Sequence, residues 1–166
     1  EDTMSLLENA SKLPGDGQTT DDGSAQNVKG FRYATAAVAV KGTIMQYDTG
    51  QTGFQKALVV KIAEVVATSG NVNAVGAMKH GAVALDGTNL ANIDVVVGSG
   101  SFVRVIADAS VVAADMPIGV DTTAGTATAL AATYAALAAG EAGLVFGTSQ
   151  EAVSAVEAGL ALIRIN

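Results

Sequence analysis

Few side chains in this sequence can do chemistry, and their spacing limits what they could do. His80 is the only histidine among 166 residues, and there is no cysteine. A zinc site needs three or four nitrogen or sulfur donors, so one imidazole would have to recruit carboxylates. A histidine satisfied by its neighbours or facing solvent is the better reading. A Ser-His-Asp relay lacks support, because no Gly-x-Ser-x-Gly phrase presents a nucleophile. Gly98-Ser99-Gly100-Ser101 looks superficially like a phosphate loop, yet the Lys-Ser/Thr that should follow and the helix behind it are missing. Asp16, Asp21 and Asp22 lie close together but not at calcium-loop spacing. Asp115 and Asp121 flank an apolar phrase; they read as turn residues, or as a carboxylate pair only if the fold brings them together. The sequence thus predicts no catalytic residue, no cofactor and no metal site. It predicts a protein that is not an enzyme.

The elements around these residues are short and β-like. Val111 to Asp121, Leu144 to Ser149 and Ala158 to Ile165 are each a few apolar residues punctuated by Gly, Asp or Thr, the pattern of brief strands joined by tight turns. Phe31 to Tyr33, Ala36 to Val40, Gly42 to Asp48, Met78 to Leu85 and Ile93 to Val97 read the same way, and Asp48-Thr49-Gly50 is a turn phrase. The clearest hairpin is Val95 to Ile106, two Val-rich arms around Gly98-Ser99-Gly100. Two stretches stay open. In 57–67, Leu58, Ile62 and Val65 fit a helix face while Val60, Ile62 and Val66 fit a strand, and β-branched density favours the strand. In 127–139, Leu130, Tyr134 and Leu137 allow a short helix, although Gly125 to Leu130 also reads as strand. A faint echo links 139–144 with 155–160, each a turn leading into a strand.

Composition sets the class. A chain of this length suits one compact domain and can bury roughly 70% of its unfolded surface. Apolar residues make up 49% but aromatics only 4%, so the core must be packed from Ala, Val, Leu and Ile at close range. The net charge of −7 repels phosphate backbones, and the nine Lys and Arg are scattered, which argues against nucleic acid. No apolar run reaches membrane-spanning length and no secretion signal stands at the start, so no membrane partner is expected. Met4-Ser5 reads as a native start, with Glu1-Asp2-Thr3 a processing remnant or an expression scar. Residues 1–30 differ from the rest: Pro14-Gly15-Asp16-Gly17 and Thr19 to Ser24 are polar and Gly-rich, too poor in apolar surface to fold alone. They form an extended N-terminal arm, either a free tail or a segment that orders against a neighbouring molecule. Residues 31–166 form the β-rich domain.

Two stretches carry a resemblance. Ala113 to Ala127, with Asp115-Met116-Pro117-Ile118-Gly119-Val120 at its centre, resembles the capsid cement (head decoration) proteins of tailed bacteriophages. So does the closing stretch from Val145-Phe146-Gly147-Thr148-Ser149 through Glu157-Ala158-Gly159-Leu160 to Ile165. Ala114-Asp115-Met116-Pro117 departs from the family's Gly-Asp-Pro phrase by one inserted residue and a missing Gly. The resemblance implies a mainly β, compact β-barrel or β-tulip-like domain of short strands with the arm described above and at most one short helix. It implies a structural virion protein, made in the host cytoplasm, that binds the outer capsid surface at three-fold or quasi-three-fold positions, commonly as a homotrimer. Its partners would be the major capsid protein and further copies of itself, and its role would be to hold capsomers against internal DNA pressure. On that reading Leu6, Leu7 and Leu13 make the capsid or subunit contacts, with Phe31 and Tyr33 anchoring the arm's exit. The competing reading is a receptor- or glycan-binding β-domain, such as a head fibre or adhesin. Carbohydrate sites favour exposed aromatics, and four Phe, three Tyr and no Trp offer few. A trimeric β-fold hydrolase acting on nucleotides lacks the phosphate-binding and base motifs it would need.

Overall fold

In the computed structural model, which describes residues 27–65, 73–79, 81–83, 90–153 and 159–166, the chain is mainly β and is built from two sheets around two cores. The first sheet is a closed five-stranded barrel of β1 (Asn27–Tyr33), β3 (Ile44–Tyr47), β4 (Val59–Ile62), β5 (Ala74–Met78) and β7 (Ala91–Val97), in the order β1-β4-β3-β5-β7. Its pairings are antiparallel except β1 with β4, which run parallel with Arg32 opposite Val59. The second sheet orders β8 (Phe102–Ile106), β9 (Pro117–Val120), β10 (Ala127–Ala129), β11 (Gly147–Ser149) and β12 (Leu160–Ile165) as β10-β9-β11-β12-β8. A single parallel bridge, Ala107 with Ala127, brings its last strand round to its first. A small ribbon pairs β2 (Ala39–Val40) with β6 (Ala82–Val83).

Side-chain alternation explains how so small a set of residues fills two cores. Phe31, Tyr33, Met45, Val60, Met78, Ile93, Val95 and Val97 form one buried cluster inside the barrel. The residues between them on three strands, Ile44, Ala77 and Val96, point out of the barrel. They are buried all the same, in a second cluster with Val105, Ile118, Val120, Phe146, Ala161 and Ile163 of the other sheet. Strands buried on both faces read as continuous apolar runs, which is why Val95-Val96-Val97 shows no alternation. Tyr33 is fully buried, and its hydroxyl donates to the Ala37 carbonyl at 2.5 Å, so this polar group of the barrel interior is satisfied.

Backbone hydrogen bonds lock the two sheets together. The turn between β9 and β10 projects onto the barrel: Gly125 N–H donates to Ala63 O at 2.8 Å, and Ile44 N–H donates to Gly125 O at 2.8 Å. Gly125 has φ of +77°, and an added Cβ would lie 2.6 Å from Thr43 Cγ2 and 2.8 Å from Ile62 Cγ2. Only glycine fits, for conformation and for space. A second link runs from Ile106 N–H to Gly42 O at 3.0 Å.

Several sequence expectations change. The Val95 to Ile106 hairpin is absent: β7 pairs with β1 and β5 in the barrel, whereas β8 pairs with β12 in the other sheet. The Gly98-Ser99-Gly100 turn does use positive φ at both glycines. It carries the chain between sheets: Gly100 N–H donates to Ile165 O and Ile165 N–H to Ser101 O, while the Ser101 hydroxyl keeps the turn tied to β7 by donating to Val97 O at 2.8 Å. The strand expected over Met78 to Leu85 is instead the end of β5 and, after a break, β6; residues 84 and 85 lie outside the described residues. Of 57–67, Val59–Ile62 is strand, as the β-branched density indicated. Over 127–139 no α-helix forms: Ala127–Ala129 is strand and only Tyr134–Ala136 makes a 3-10 turn. Leu130 is drawn over Gly119 and Tyr134 toward Thr148, so the residues that would share a helix face are held apart. β1 starts at Asn27, so residues 27–30 belong to the barrel rather than to the arm; residues 1–26 lie outside the described residues.

Because the sheets share a core and a glycine-mediated dock, they unfold together. Gly125→Ala is expected to cost about 3 kcal/mol from strained φ plus overpacking, a fall in Tm of roughly 6–12 °C. Calorimetry is expected to show one transition for wild type and variant; two resolved transitions would show that the sheets are independent.

Candidate functional site

The residues with chemical potential fall into turns and seams. Asp121 opens the β9–β10 turn: Thr123 N–H donates to its Oδ2 at 3.1 Å and the Thr122 hydroxyl to its Oδ1 at 3.3 Å. Partial burial pushes its carboxyl up, but these backbone and hydroxyl donors outweigh that and hold it below the ordinary carboxylate range. Asp115 sits at the other end of β9 with φ of +62°, a left-handed conformation that Asp tolerates better than most residues, and its N–H donates to Ser149 O at 2.8 Å. Five residues of mostly extended chain lie between the two, which sets the carboxylates about 20 Å apart. They are turn residues, not an acid–base pair.

A Ser–Asp–Thr cluster has more the look of a catalytic group. The hydroxyls of Ser110 and Thr128 both donate to the Asp108 carboxylate, Thr128 at 3.0 Å. The Ser110 oxygen also accepts Ala129 N–H at 2.8 Å. Its hydrogen-bonding capacity thus goes into closing β10 against the chain after β8, beside the Ala107–Ala127 bridge. Tyr134, Thr148 and Asn166 make a comparable seam: Asn166 Nδ2 donates to the Tyr134 hydroxyl at 2.8 Å, and that hydroxyl lies 2.5 Å from Thr148 Oγ1. Among the described residues no three of His, Asp or Glu converge as metal ligands. His80, Asp16, Asp21 and Asp22 lie outside the described residues, as do Leu6, Leu7 and Leu13.

Phe31 and Tyr33, expected to anchor the arm's exit, are on β1 with their side chains in the barrel core, 6% and 0% exposed. Their rings hold the strand in place and offer almost no surface to a partner in the single chain. Burial pushes the Tyr33 hydroxyl up from its ordinary value, against a smaller opposing effect of the Thr35 side chain.

The surface worth attention lies on the outer wall of the same strand. Gly30, Arg32, Leu58, Ile93 and Asp94 surround a shallow dent of about 320 Å³ between β1, β7 and the start of β4. Leu58 enters it from the 3-10 turn Gly53–Ala57, tied down by Arg32 N–H to Leu58 O at 2.8 Å. The same turn carries Phe54, 76% exposed, the most exposed large apolar side chain among those described. Tyr47, 38% exposed, packs edge-on against Phe31 nearby, with ring centroids 6.1 Å apart. Sequence reading passed over Phe54 and Leu58 as contact residues. The available signal was one Phe inside the polar stretch Asp48–Lys56, where nothing apolar adjoins it in sequence.

No protein-family model matches the chain, and no curated protein matches it in sequence. Among solved structures, the crystal structure of the head fiber gp8.5 N base in bacteriophage phi29 is similar, with a TM-score of 0.50 and 15% identity over 84% of this chain and 95% of that one. At that identity the likeness is one of fold.

Asp121 gives the stability a signed pH dependence. Its folded pKa lies below the ordinary 3.8, so its contribution is present above that value and is lost as the pH falls through the folded pKa. The difference in Tm between wild type and Asp121→Asn is expected to favour wild type at neutral pH and to shrink toward zero in acid, as read by thermal denaturation across pH. A difference that stays constant with pH would contradict this role.

Proposed function

We propose that this chain is a structural protein of a bacteriophage virion that attaches to the outside of the head. The observation that carries the reading is the fold likeness to a phage head-fiber base, which extends over nearly the whole of both chains. The resemblance of the β9–β10 and β11–β12 stretches to head decoration proteins points the same way from sequence.

In its finer form, the protein is a cement. Copies associate, with three the number implied by the resemblance, and sit at three-fold or quasi-three-fold positions on the major capsid protein. There they tie neighbouring capsomers together against the pressure of packaged DNA. Such work is binding, not turnover, and many weak contacts repeated around a symmetry axis give it strength through effective concentration. The Asp108 and Asp121 clusters support this, since both spend their polar groups on holding turns and seams. The N-terminal arm, with Leu6, Leu7 and Leu13, supplies capsid contacts and gains buried area at the cost of ordering.

The receptor- or glycan-binding reading draws on the same likeness, because that neighbour is named for a fiber. The two differ in what the protein binds. On purified heads lacking the protein, saturable binding at a fixed multiple of three per local three-fold site, with heads made more heat-resistant, is the expected result. Sedimentation and gel densitometry read it directly. Absence of binding, a few copies per particle, or attachment only to sugar-bearing surfaces would overturn the cement reading.

A further inference from the structure

We infer that the dent over Gly30 receives Phe54 of a second copy of this chain. A glycine inside a strand weakens it, and commonly marks a place where something outside comes close. Other strand glycines here are demanded from within: a Cβ on Gly76 would lie 2.0 Å from Val96 O, and one on Gly147 2.6 Å from Arg164 O. Gly30 is different. A Cβ there meets nothing within 4 Å, and its φ is outside the left-handed region. Nothing in the described chain requires glycine at this point, and its small size opens the outer wall of β1.

Three features make the occupant a copy of the same chain. The dent of about 320 Å³, with Leu58 and Ile93 in its lining, has room for a phenyl ring, and Phe54, four residues before Leu58 in the chain, projects one into solvent. Buried aromatic anchors surrounded by a polar rim are the usual energetic centres of protein interfaces. Arg32 and Asp94 share the wall of the dent, and neither has an ion-pair partner among the described residues. A second copy brings both charges and can satisfy both crosswise, whereas a partner of one charge would satisfy one and repel the other. Phe54 lies on the short turn that Leu58 caps, so one turn carries the projecting ring and leads into the lining of the dent. Adjoining donor and acceptor surfaces place the contact beside a symmetry axis, where it closes into a dimer or a three-membered ring rather than an open filament.

The contact gives a residue-level basis for the self-association in the proposed function. Its test uses no heads, so either can fail without the other. Sedimentation velocity of the full chain from micromolar to millimolar concentration is expected to show a discrete dimer or trimer. Phe54→Asp is expected to weaken association about 30-fold or more, the loss typical of a central anchor. Gly30→Val fills the dent with a strand-favouring side chain and is expected to abolish association while melting no lower than wild type. A wild-type chain that stays monomeric throughout, or association that survives either substitution, overturns the inference.

Discussion

Everything else in this molecule depends on the burial of both faces of β3, β5 and β7. One face of these strands fills the barrel with Met45, Met78, Val95 and Val97, and the other presents Ile44, Ala77 and Val96 to the second sheet. A chain with no Trp and few other aromatics cannot build two separate cores of useful size. Sharing a wall removes more apolar surface from water per residue than two isolated barrels would. It also demands close approach, which explains Gly125 between Thr43 and Ile62. That glycine marks a point where the two sheets leave no room for a methyl group.

The turn beginning at Asp121 is shaped by its own carboxylate and delivers Gly125 to the barrel, so local turn chemistry becomes an inter-sheet clamp. Asp108, Ser110 and Thr128 do the same where the second sheet closes. The polar groups that most invite a catalytic reading are thus the ones that hold the backbone in place. What the fold leaves outside is a wall with a dent, an exposed ring and two charges that have no ion-pair partner among the described residues.

Much of the architecture was legible in the sequence, and the reasons differ by element. Turn chemistry spoke clearly: Asp48-Thr49-Gly50 and Gly98-Ser99-Gly100 are turns because Asp bonds nearby N–H groups and Gly takes positive φ. β-branched density marked Val59–Ile62 as strand. Partner choice was not legible. Val95-Val96-Val97 and Phe102–Ile106 look like two arms of one hairpin, yet they pair into different sheets, with Gly100 N–H donating to Ile165 O and Ile165 N–H to Ser101 O at the parting. The candidate surface was harder still. Phe31 and Tyr33 attracted notice as aromatics, yet alternation turns them inward. Phe54 lies in a turn, where no periodicity predicts exposure.

The central claim is that this double-sheet unit is a component of the outside of a phage head. A cryo-EM difference map between heads carrying the protein and heads lacking it tests that most directly. The account predicts extra density on the outer shell, at positions related by capsid symmetry and of a size to hold the barrel and the second sheet. Density absent from the shell, or confined to the tail or the interior, would contradict it.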